Sequence, residues 1–364
     1  MARTRQRRGT KRATMTDVAR LAEVATSTVS LYLRAPGEVS PRLGSRIQHA
    51  IDELHYVPNR MAGALAAAQT RVVGVVVPSI VNSFFAETVT TLQDRLQAAG
   101  HQTLLGHTDY DEGREEDLVR TFLSWSPAAM VLTGLHHNRA TRRMLEATDI
   151  PVVEMWELGP QPIDRLVGFS HGDVGRLQTR HLIAGGAREI AFIGARLERD
   201  HRAAQRAEGY AETVRSHSWL AAPEIIDAGP QGSTDAAGAA FRALFERRPA
   251  IDGVVLSNDL VALGVLFEAQ RLAVAVPDRV GLIGFGGLDF GRNSVPALST
   301  VAPPRREIGD HVAEQLLARL EGRAEPPGRV DLGFELIARD STRPPAARAA
   351  VGAPRRPAGR VDRL

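Results

Sequence analysis

The sequence of 364 residues contains no cysteine. This absence excludes disulfides, thiolate nucleophiles and zinc sites built on cysteine. No run of about 18 apolar residues occurs, so no membrane-spanning helix is expected. The basic amino terminus, MARTRQRRGTKRATMTD, is not followed by an apolar segment, so a secretory signal is not expected either. Together these absences predict a cytoplasmic protein without disulfides and without a membrane partner.

The motifs of common α/β enzymes are also missing. No G-x-G-x-x-G follows the first predicted strand, and neither a phosphate-binding G-x-x-x-x-G-K-[ST] loop nor a G-x-S-x-G elbow occurs. The glycine-rich stretch GFGGLDFG lacks both the spacing and the helix entry of a dinucleotide site. His136, His137 and His201 show no metal-ligand periodicity, and surface loops explain them more simply. We therefore expect no catalysis, no metal and no other cofactor.

A chain of this length with 43% hydrophobic residues is expected to form two or three domains. Its net charge of +3 is unevenly distributed: residues 1–71 carry +7, residues 346–364 carry +4, and the part between them carries −8. A basic head on an acidic body is typical of a polyanion-binding module attached to a regulatory or catalytic domain. The alternative is that the basic amino-terminal arm is only disordered and solubilising.

Three short helices are predicted in the head. Thr16 is the expected N-cap of the first, the second begins near Thr26, and Ser40 with Pro41 begins the third. Apolar side chains at helical spacing are expected to share a small core: Val18, Leu21, Ala22, Val29, Leu33, Leu43, Ile47, Ala50, Ile51 and Leu54. This order of helices is the helix-turn-helix plan, whose second helix enters the DNA major groove.

The predicted second helix carries hydroxyl side chains in place of long charged ones. Thr26, Ser27 and Ser30 in VATSTVSLYL are short enough to let a backbone approach DNA, and they can bond base edges or phosphates. The alternative is a three-helix domain that binds no nucleic acid. The positive charge of the head favours the DNA-binding interpretation.

The segment VPNRMAGALAAAQT predicts a two-turn helix from Arg60 to about Ala67, capped by Asn59. A helix of this length is marginal in water, so we expect it to form only against a partner. Leu65 near its middle suits insertion between base steps in a minor groove.

From Val72 onward, apolar strand-like stretches alternate with amphipathic helical ones, such as RVVGVVVP, QTLLGH, AAMVLT, IPVVEMW, REIAFIG, DGVVLSND and RVGLIGF. This alternation predicts parallel sheets covered by helices. Ligands of such sheets bind at the carboxyl ends of the strands, which directs attention to the residues that follow each strand.

The stretches TDVARLAEVATSTVSLYL and VSPRLGSRIQHAIDELHYVPNRMAGAL, with the body that follows, resemble the LacI/GalR family of bacterial transcriptional regulators from about Thr16 to Pro345. The resemblance implies an all-α helix-turn-helix DNA-binding domain with a hinge helix, joined to a two-lobed α/β effector domain like periplasmic binding proteins. It implies a homodimer on a pseudo-palindromic double-stranded operator, and the tail without apolar heptads favours a dimer over a tetramer.

The resemblance also implies domain bounds. A disordered basic arm covers residues 1–13, the DNA-binding domain 14–57, the hinge 58–71, the effector and dimerisation domain 72–345, and a disordered tail 346–364. Within the effector domain, lobe 1 covers about 72–166 and 301–329, and lobe 2 covers about 167–300 and 330–345.

By the same resemblance, Thr26, Ser27 and Leu31 read bases and Leu65 intercalates. Many members carry Arg in place of Leu31, so a guanine contact is expected to be missing. The candidate DNA-binding residues are Thr16, Thr26, Ser27, Thr28, Ser30, Leu31, Arg34, Asn59, Arg60, Ala62 and Leu65.

Arg206, in R-x-x-G-Y, and Asn258, in SNDL, match effector-contacting positions of the family. The alternatives are a surface arginine and a helix N-cap. The candidate effector-binding residues are Ser79, Asn82, Phe84, Phe85, Thr133, Trp156, Ser170, Arg202, Arg206, Asn258 and Gly286.

Relatives that respond to sugars or purines usually carry Asp where this chain has Ser170 and Gly286. Because a carboxylate would repel an anionic ligand, the loss of both acids while Arg206 is kept favours an acidic effector. A neutral ligand with rearranged contacts is the alternative.

LSWSPAAMVLT, IPVVEMWELG, FIGARLER and DLGFEL are most similar to the gluconate-utilisation repressors within the family. The sequence therefore predicts a repressor of a sugar or sugar-acid catabolic operon that a small effector such as gluconate releases from DNA. The alternative is co-repression, in which the effector strengthens DNA binding. A solute-binding protein of a transporter and a nucleotide-dependent enzyme are the alternative functions.

Overall fold

A computed structural model describes residues 13–58, 70–80 and 83–344. It divides into two compact units, one ending at Thr70 and the other beginning at Arg71. The predictions for the basic arm up to residue 12, for the tail from residue 345 and for four hinge residues (Asn59, Arg60, Ala62 and Leu65) lie outside the described residues. So does the prediction for Asn82.

The head contains α1 (Met15–Leu21), α2 (Thr26–Arg34), a 3-10 turn (Pro36–Glu38) and α3 (Pro41–Glu53). The three helices bury one small core: Val18, Ala19, Ala22, Val29, Val39, Ile47, Ala50 and Tyr56. Two expectations about α1 are wrong. Its N-cap is Thr14, because Thr14 and Asp17 form a reciprocal capping box, and Leu21 is 42% exposed because the end of α1 turns it away from the core.

A side chain of α3 stabilises the turn between α1 and α2. Glu23 takes a left-handed backbone conformation with φ of 50°. Arg46 donates a hydrogen bond of 2.7 Å to the carbonyl of Ala22 and pairs with the Glu23 carboxylate at 2.9 Å. These bonds satisfy a carbonyl at the end of α1 and so fix the direction in which α2 leaves the turn.

Two six-stranded sheets form the second unit. In the first, the spatial order is β11-β5-β4-β3-β1-β2, and every pair is parallel. Its strands are β1 (Val72–Val77), β2 (Gln102–His107), β3 (Ala129–Thr133), β4 (Val152–Met155), β5 (Arg165–Gly168) and β11 (Arg329–Asp331).

In the second sheet the order is β12-β10-β9-β8-β6-β7, where only the β10–β12 pair is antiparallel among the described strands. Its strands are β6 (Ile190–Gly194), β7 (Glu224–Asp227), β8 (Gly253–Leu256), β9 (Gly281–Phe285), β10 (Ser299–Ala302) and β12 (Glu335–Ile337).

Helices cover both sheets, as the alternating pattern predicts. Those of lobe 1, around the first sheet, are α4 (Ala86–Ala98), α5 (Glu112–Ser124), α6 (Arg139–Glu146) and α12 (Arg305–Leu320). Those of lobe 2, around the second sheet, are α7 (His171–Ala184), α8 (His201–Arg215), α9 (Thr234–Arg247) and α10 (Asp259–Arg271), and the short α11 (Asp289–Asn293) joins β9 to β10.

The chain passes between the lobes three times. The expected crossings near residues 166, 300 and 329 fall inside β5, β10 and β11. All of β5 and β11 pairs within the first sheet, and all of β10 pairs within the second. The crossings between the lobes therefore lie at the ends of these strands. Among the described residues, no helix is both long and apolar enough to cross a membrane.

Candidate effector cleft and DNA-binding head

A small cavity lies where the carboxyl ends of strands from both lobes face each other. Lobe 1 contributes Phe84, Phe85, Tyr110 and Trp156 to its lining. Lobe 2 contributes His171, Asp200, Arg202, Arg206, Asn258 and Phe285. An aromatic wall with a few converging polar groups is typical of a small-molecule site.

Arg206 is the central polar group of this cavity. It lies in the second turn of α8 and is only 3% exposed. Its Nε donates to the Ser257 carbonyl at 3.0 Å, its Nη1 lies 2.7 Å from Nδ1 of His171, and its guanidinium stacks 4.3 Å from the Phe285 ring centre. Burial, partly opposed by Asp200, lowers the pKa of Arg206 to about 10, so the group remains a cation at neutral pH.

His171 is a neutral hydrogen-bond acceptor toward Arg206. Its Nε2 lies 2.8 Å from the carbonyl of Trp156, which can only accept, so Nε2 carries the proton and Nδ1 presents a lone pair to the guanidinium. Burial and the nearby Arg206 and Arg202 hold the pKa of His171 well below its ordinary value of 6.5. The histidine therefore orients Arg206 without neutralising it.

The second arginine of the cavity has a carboxylate nearby. Nη2 of Arg202 lies 3.7 Å from Asp200, whose side chain also accepts the backbone N–H of Ala203 at the start of α8. The ionised groups that line the cavity are thus two arginines and one aspartate. The buried carboxylate of Glu157, on the lobe 1 side, also acts on Arg206, so two carboxylates lie near the two arginines.

Trp156, which lines the cavity, carries a further hydrogen-bond donor. Its backbone φ is +70°, which non-glycine residues rarely adopt, and its side chain is 2% exposed. Within the described part of the chain its indole Nε1 is buried without a hydrogen-bond partner. An unpaired buried N–H costs about 1–3 kcal/mol, so a ligand acceptor at this position would be stabilising.

Packing explains the glycine at position 286. Gly286 has φ of +135°, and a Cβ on it would lie 2.1 Å from the ring of Phe84. An aspartate at this position would therefore strain the backbone and collide with the aromatic wall. Ser170, the other departure, caps α7 by accepting the N–H of Asp173 at 3.2 Å.

The structure brings together six of the predicted effector residues around the cavity: Phe84, Phe85, Trp156, Arg202, Arg206 and Asn258. Asn258 is also the N-cap of α10, so the cap interpretation is confirmed, while its contact with an effector stays a prediction. Four others are not among the lining residues: Ser79, Thr133, Ser170 and Gly286. Thr133 nevertheless takes part through its carbonyl, which accepts a bond of 3.2 Å from Arg202 across the cleft.

Four lining residues were missed by sequence reasoning: Tyr110, His171, Asp200 and Phe285. His171 and Phe285 each adjoin a chosen residue, Ser170 and Gly286, so the strand ends were located but the neighbouring side chain was selected. Asp200 had a usable signal, because it directly precedes α8 as its N-cap.

Polar contacts across the cleft hold the lobes together. Gln205 of lobe 2 donates to Glu157 of lobe 1 at 2.6 Å. Arg305 of lobe 1 donates to the Gly286 carbonyl of lobe 2 at 2.7 Å and pairs with Glu87 in its own lobe at 2.9 Å. The cavity is therefore bounded by specific interlobe bonds.

In the head, α2 presents the predicted polar surface. Thr26, Ser27 and Arg34 are exposed, as is Thr16 on α1, while Thr28, Ser30 and Leu31 are partly buried. Leu31 packs against the head core. The Ala25 cap leaves the first turn of α2 without a side-chain hydrogen bond, so its backbone N–H groups can face an anion.

Comparison with known proteins agrees with this anatomy. Residues 14–59 match the bacterial regulatory proteins of the lacI family, and residues 179–342 match the periplasmic binding protein-like domain. The HTH-type transcriptional regulator GntR of Pseudomonas aeruginosa is 39% identical over 336 residues, which are 92% of this chain and 97% of that protein.

The regulator of the same name from Escherichia coli K12 is 37% identical over 327 residues, 90% of this chain and 97% of that protein. A solved structure of a LacI-family transcriptional regulator from Silicibacter pomeroyi has a TM-score of 0.84 and 35% identity, covering 90% of this chain and 99% of that one.

A helix-turn-helix head and a body of two parallel-sheet lobes around a ligand cleft define a class, the ligand-responsive DNA-binding regulator. Such a regulator binds double-stranded DNA and a small molecule. The chain belongs to the LacI family of bacterial transcriptional regulators. Its relatives are regulators and not enzymes, in agreement with the missing catalytic motifs.

Proposed function

We propose that this protein represses a sugar-acid catabolic operon and is released from its operator by a small anion such as gluconate. The observation that carries the proposal is the buried Arg206, whose hydrogen-bond partners are a neutral histidine and a carbonyl. A carboxylate of the effector would accept directly from this guanidinium, and charge-assisted bonds of this kind are about twice as strong as neutral ones.

The aromatic lining and the indole N–H of Trp156 suit the remainder of a sugar acid. Phe85 lies edge-on to Trp156 with 4.9 Å between ring centres, which gives a rigid apolar wall. The indole N–H would donate to a ligand hydroxyl or carboxylate. The relatives named GntR support the same ligand class.

On the DNA side, we propose that a homodimer places two copies of α2 in successive major grooves of a palindromic operator. Thr26, Ser27 and Arg34 are exposed on α2. Thr26 and Ser27 would contact base edges, and Arg34 would contact a phosphate. The predicted roles of Asn59, Arg60, Ala62 and Leu65 in the minor groove belong to the same proposal.

The effector is tested by calorimetry of the purified chain with gluconate and with glucose. We expect gluconate to bind more tightly. Arg206→Lys, which keeps the charge but loses the fixed planar donors, should weaken gluconate binding at least about tenfold. The matched control is Arg215→Lys, an exposed arginine in the last turn of the same helix, which should bind like the wild type. Tighter binding of glucose would overturn the acidic effector.

The DNA function is tested on operators selected from random duplexes. We expect salt-sensitive binding to a palindromic sequence and its release by gluconate. A chain that selects no sequence over random duplex would contradict the regulatory proposal, and binding strengthened by gluconate would show co-repression.

A further inference from the structure

Three side chains with metal-ligating atoms meet at the rim of the cleft. Glu112 is the first residue of α5, His136 lies between β3 and α6, and His201 is the first residue of α8. In the described part of the chain their ligand atoms all lie within 4.8 Å of one another. Glu112 and His136 belong to lobe 1 and His201 to lobe 2, so the cluster spans the cleft.

The two imidazoles are unusually close. The rings of His136 and His201 lie 3.6 Å apart between centres and are inclined by 32°. Nε2 of His201 is 3.5 Å from Oε1 of Glu112, longer than a good hydrogen bond. A shared cation would hold both rings and the carboxylate together.

The donor set selects the kind of cation. Two imidazole nitrogens and one carboxylate suit zinc and its neighbours in the transition series, whereas magnesium prefers oxygen ligands. Ligand bonds of about 2.0–2.2 Å place donor atoms about 3.3–3.6 Å apart in tetrahedral geometry, so side-chain movements of about an ångström would complete the site. Glu112 and His136 are exposed, which leaves room for water as a further ligand.

The surrounding charges are mostly paired. Arg199 lies 3.8 Å from Asp111, and Arg202 lies 3.7 Å from Asp200. Because Asp111 and Asp200 are paired with these arginines, Glu112 is the carboxylate that is grouped with the two histidines. Its charge would partly balance a divalent ion.

We propose that a divalent transition-metal ion of the zinc type binds Glu112, His136 and His201 and fastens the two lobes together at the rim of the cleft. Sequence spacing could not show this site, because its ligands come from three separate elements that only the fold unites. Since metal bonds would join α8 to lobe 1, the ion would favour the arrangement in which the cleft is bounded on both sides.

Zinc titration of the tag-free, full-length chain by calorimetry tests the site. We expect one equivalent to bind and magnesium not to bind. His136→Ala and His201→Ala should each weaken zinc binding at least about tenfold. The matched control is His311→Ala, because His311 pairs with Glu314 on the solvent side of α12 and, among the described residues, belongs to no three-ligand cluster. Zinc binding that is unchanged in both cleft variants, or reduced as much in the control, would overturn the site.

Fastening of the lobes is read out by amide hydrogen exchange. Zinc should slow exchange at the start of α8 and in the loop after β3 in the wild type and in His311→Ala, but not in His201→Ala. Zinc that binds without this protection would overturn the interlobe role.

Linkage to the effector rests on the proposed function. Zinc should tighten gluconate binding several-fold in the wild type and leave it unchanged in His136→Ala. Equal gluconate affinity with and without zinc in the wild type would overturn the linkage. If the chain binds no sugar acid under either condition, the proposed function fails while the calorimetric and exchange results still decide the metal site.

Discussion

Two buried histidines in this protein have opposite surroundings. In lobe 1, His137 lies between two carboxylates, with Nδ1 2.6 Å from Glu115 and Nε2 3.2 Å from Glu154. Its side chain is 1% exposed, and the hydrogen bonds that it donates to the two carboxylates overcome burial and raise the pKa of His137 to about 9. In the cleft, His171 faces Arg206 and has a pKa well below 6.5.

The two surroundings distinguish a structural cluster, around His137, from the candidate binding site, around His171. The His137 cluster contains its own counter-charges, and Glu154 also accepts the backbone N–H of Ile163 at 2.6 Å. The His171 cluster instead leaves the cation of Arg206 hydrogen-bonded only to neutral groups among its described partners. Perturbed pKa values therefore do not by themselves mark a site, because a structural ion-pair network perturbs them too.

The largest effect should follow from breaking the balanced cluster. His137→Leu leaves the Glu115 and Glu154 carboxylates buried without their shared cation, and we expect it to lower the free energy of unfolding by about 3–5 kcal/mol. Urea unfolding at pH 7 measures this loss. His311→Leu, on an exposed face of the same lobe, should change it by less than about 0.5 kcal/mol. A loss below about 1 kcal/mol in His137→Leu would mean that the cluster is not a paired charge network.

A smaller, pH-dependent effect should follow from the cleft histidine. The unfolded chain takes up a proton on His171 near pH 6.5, whereas the folded chain does so only at a much lower pH. Stability from this group is therefore complete above pH 6.5 and is lost as the pH falls, at about 1.4 kcal/mol per pH unit.

The variant His171→Gln isolates this contribution, because glutamine can accept from Arg206 and donate to the Trp156 carbonyl. As the pH is lowered from 6.5 to 5, the free energy of unfolding of this variant should fall by about 2 kcal/mol less than that of the wild type. Parallel pH profiles would show that His171 is protonated in the folded protein.

The fold was largely predictable because its signals are local. The strands β1 and β3 are buried apolar runs, and α3 begins at Pro41 after Ser40, as its sequence predicts. Five strands were not predicted: β5, β7, β10, β11 and β12. Each has only three or four residues, and β7, β11 and β12 lie at sheet edges where apolar and exposed positions mix.

The site was less predictable because it depends on contacts between distant segments. Arg206 is distinguishable from a surface arginine only when His171 and the Ser257 carbonyl are beside it. The burial of His137 was likewise invisible, since Glu115 and Glu154 are far from it in sequence, and a surface loop was expected. Strand ends could be found from sequence; the side chains that converge from them could not.

The smallest change would turn the cleft into a balanced cluster like that of His137. Asn258→Asp keeps the N-cap of α10, because an aspartate accepts the Val261 N–H as well as asparagine does, and it adds a carboxylate to the cavity lining. We expect stability within about 0.5 kcal/mol of the wild type. Gluconate affinity should fall at least about tenfold, or about 1.4 kcal/mol, because the new anion competes for the positive charge of the cleft. Calorimetry measures the affinity. The control is Asn258→Ser, which keeps an uncharged N-cap, so it separates repulsion by the new carboxylate from the loss of the Asn258 amide. Equal gluconate binding by the Asp and Ser variants would show that the charge of the cavity does not select the ligand.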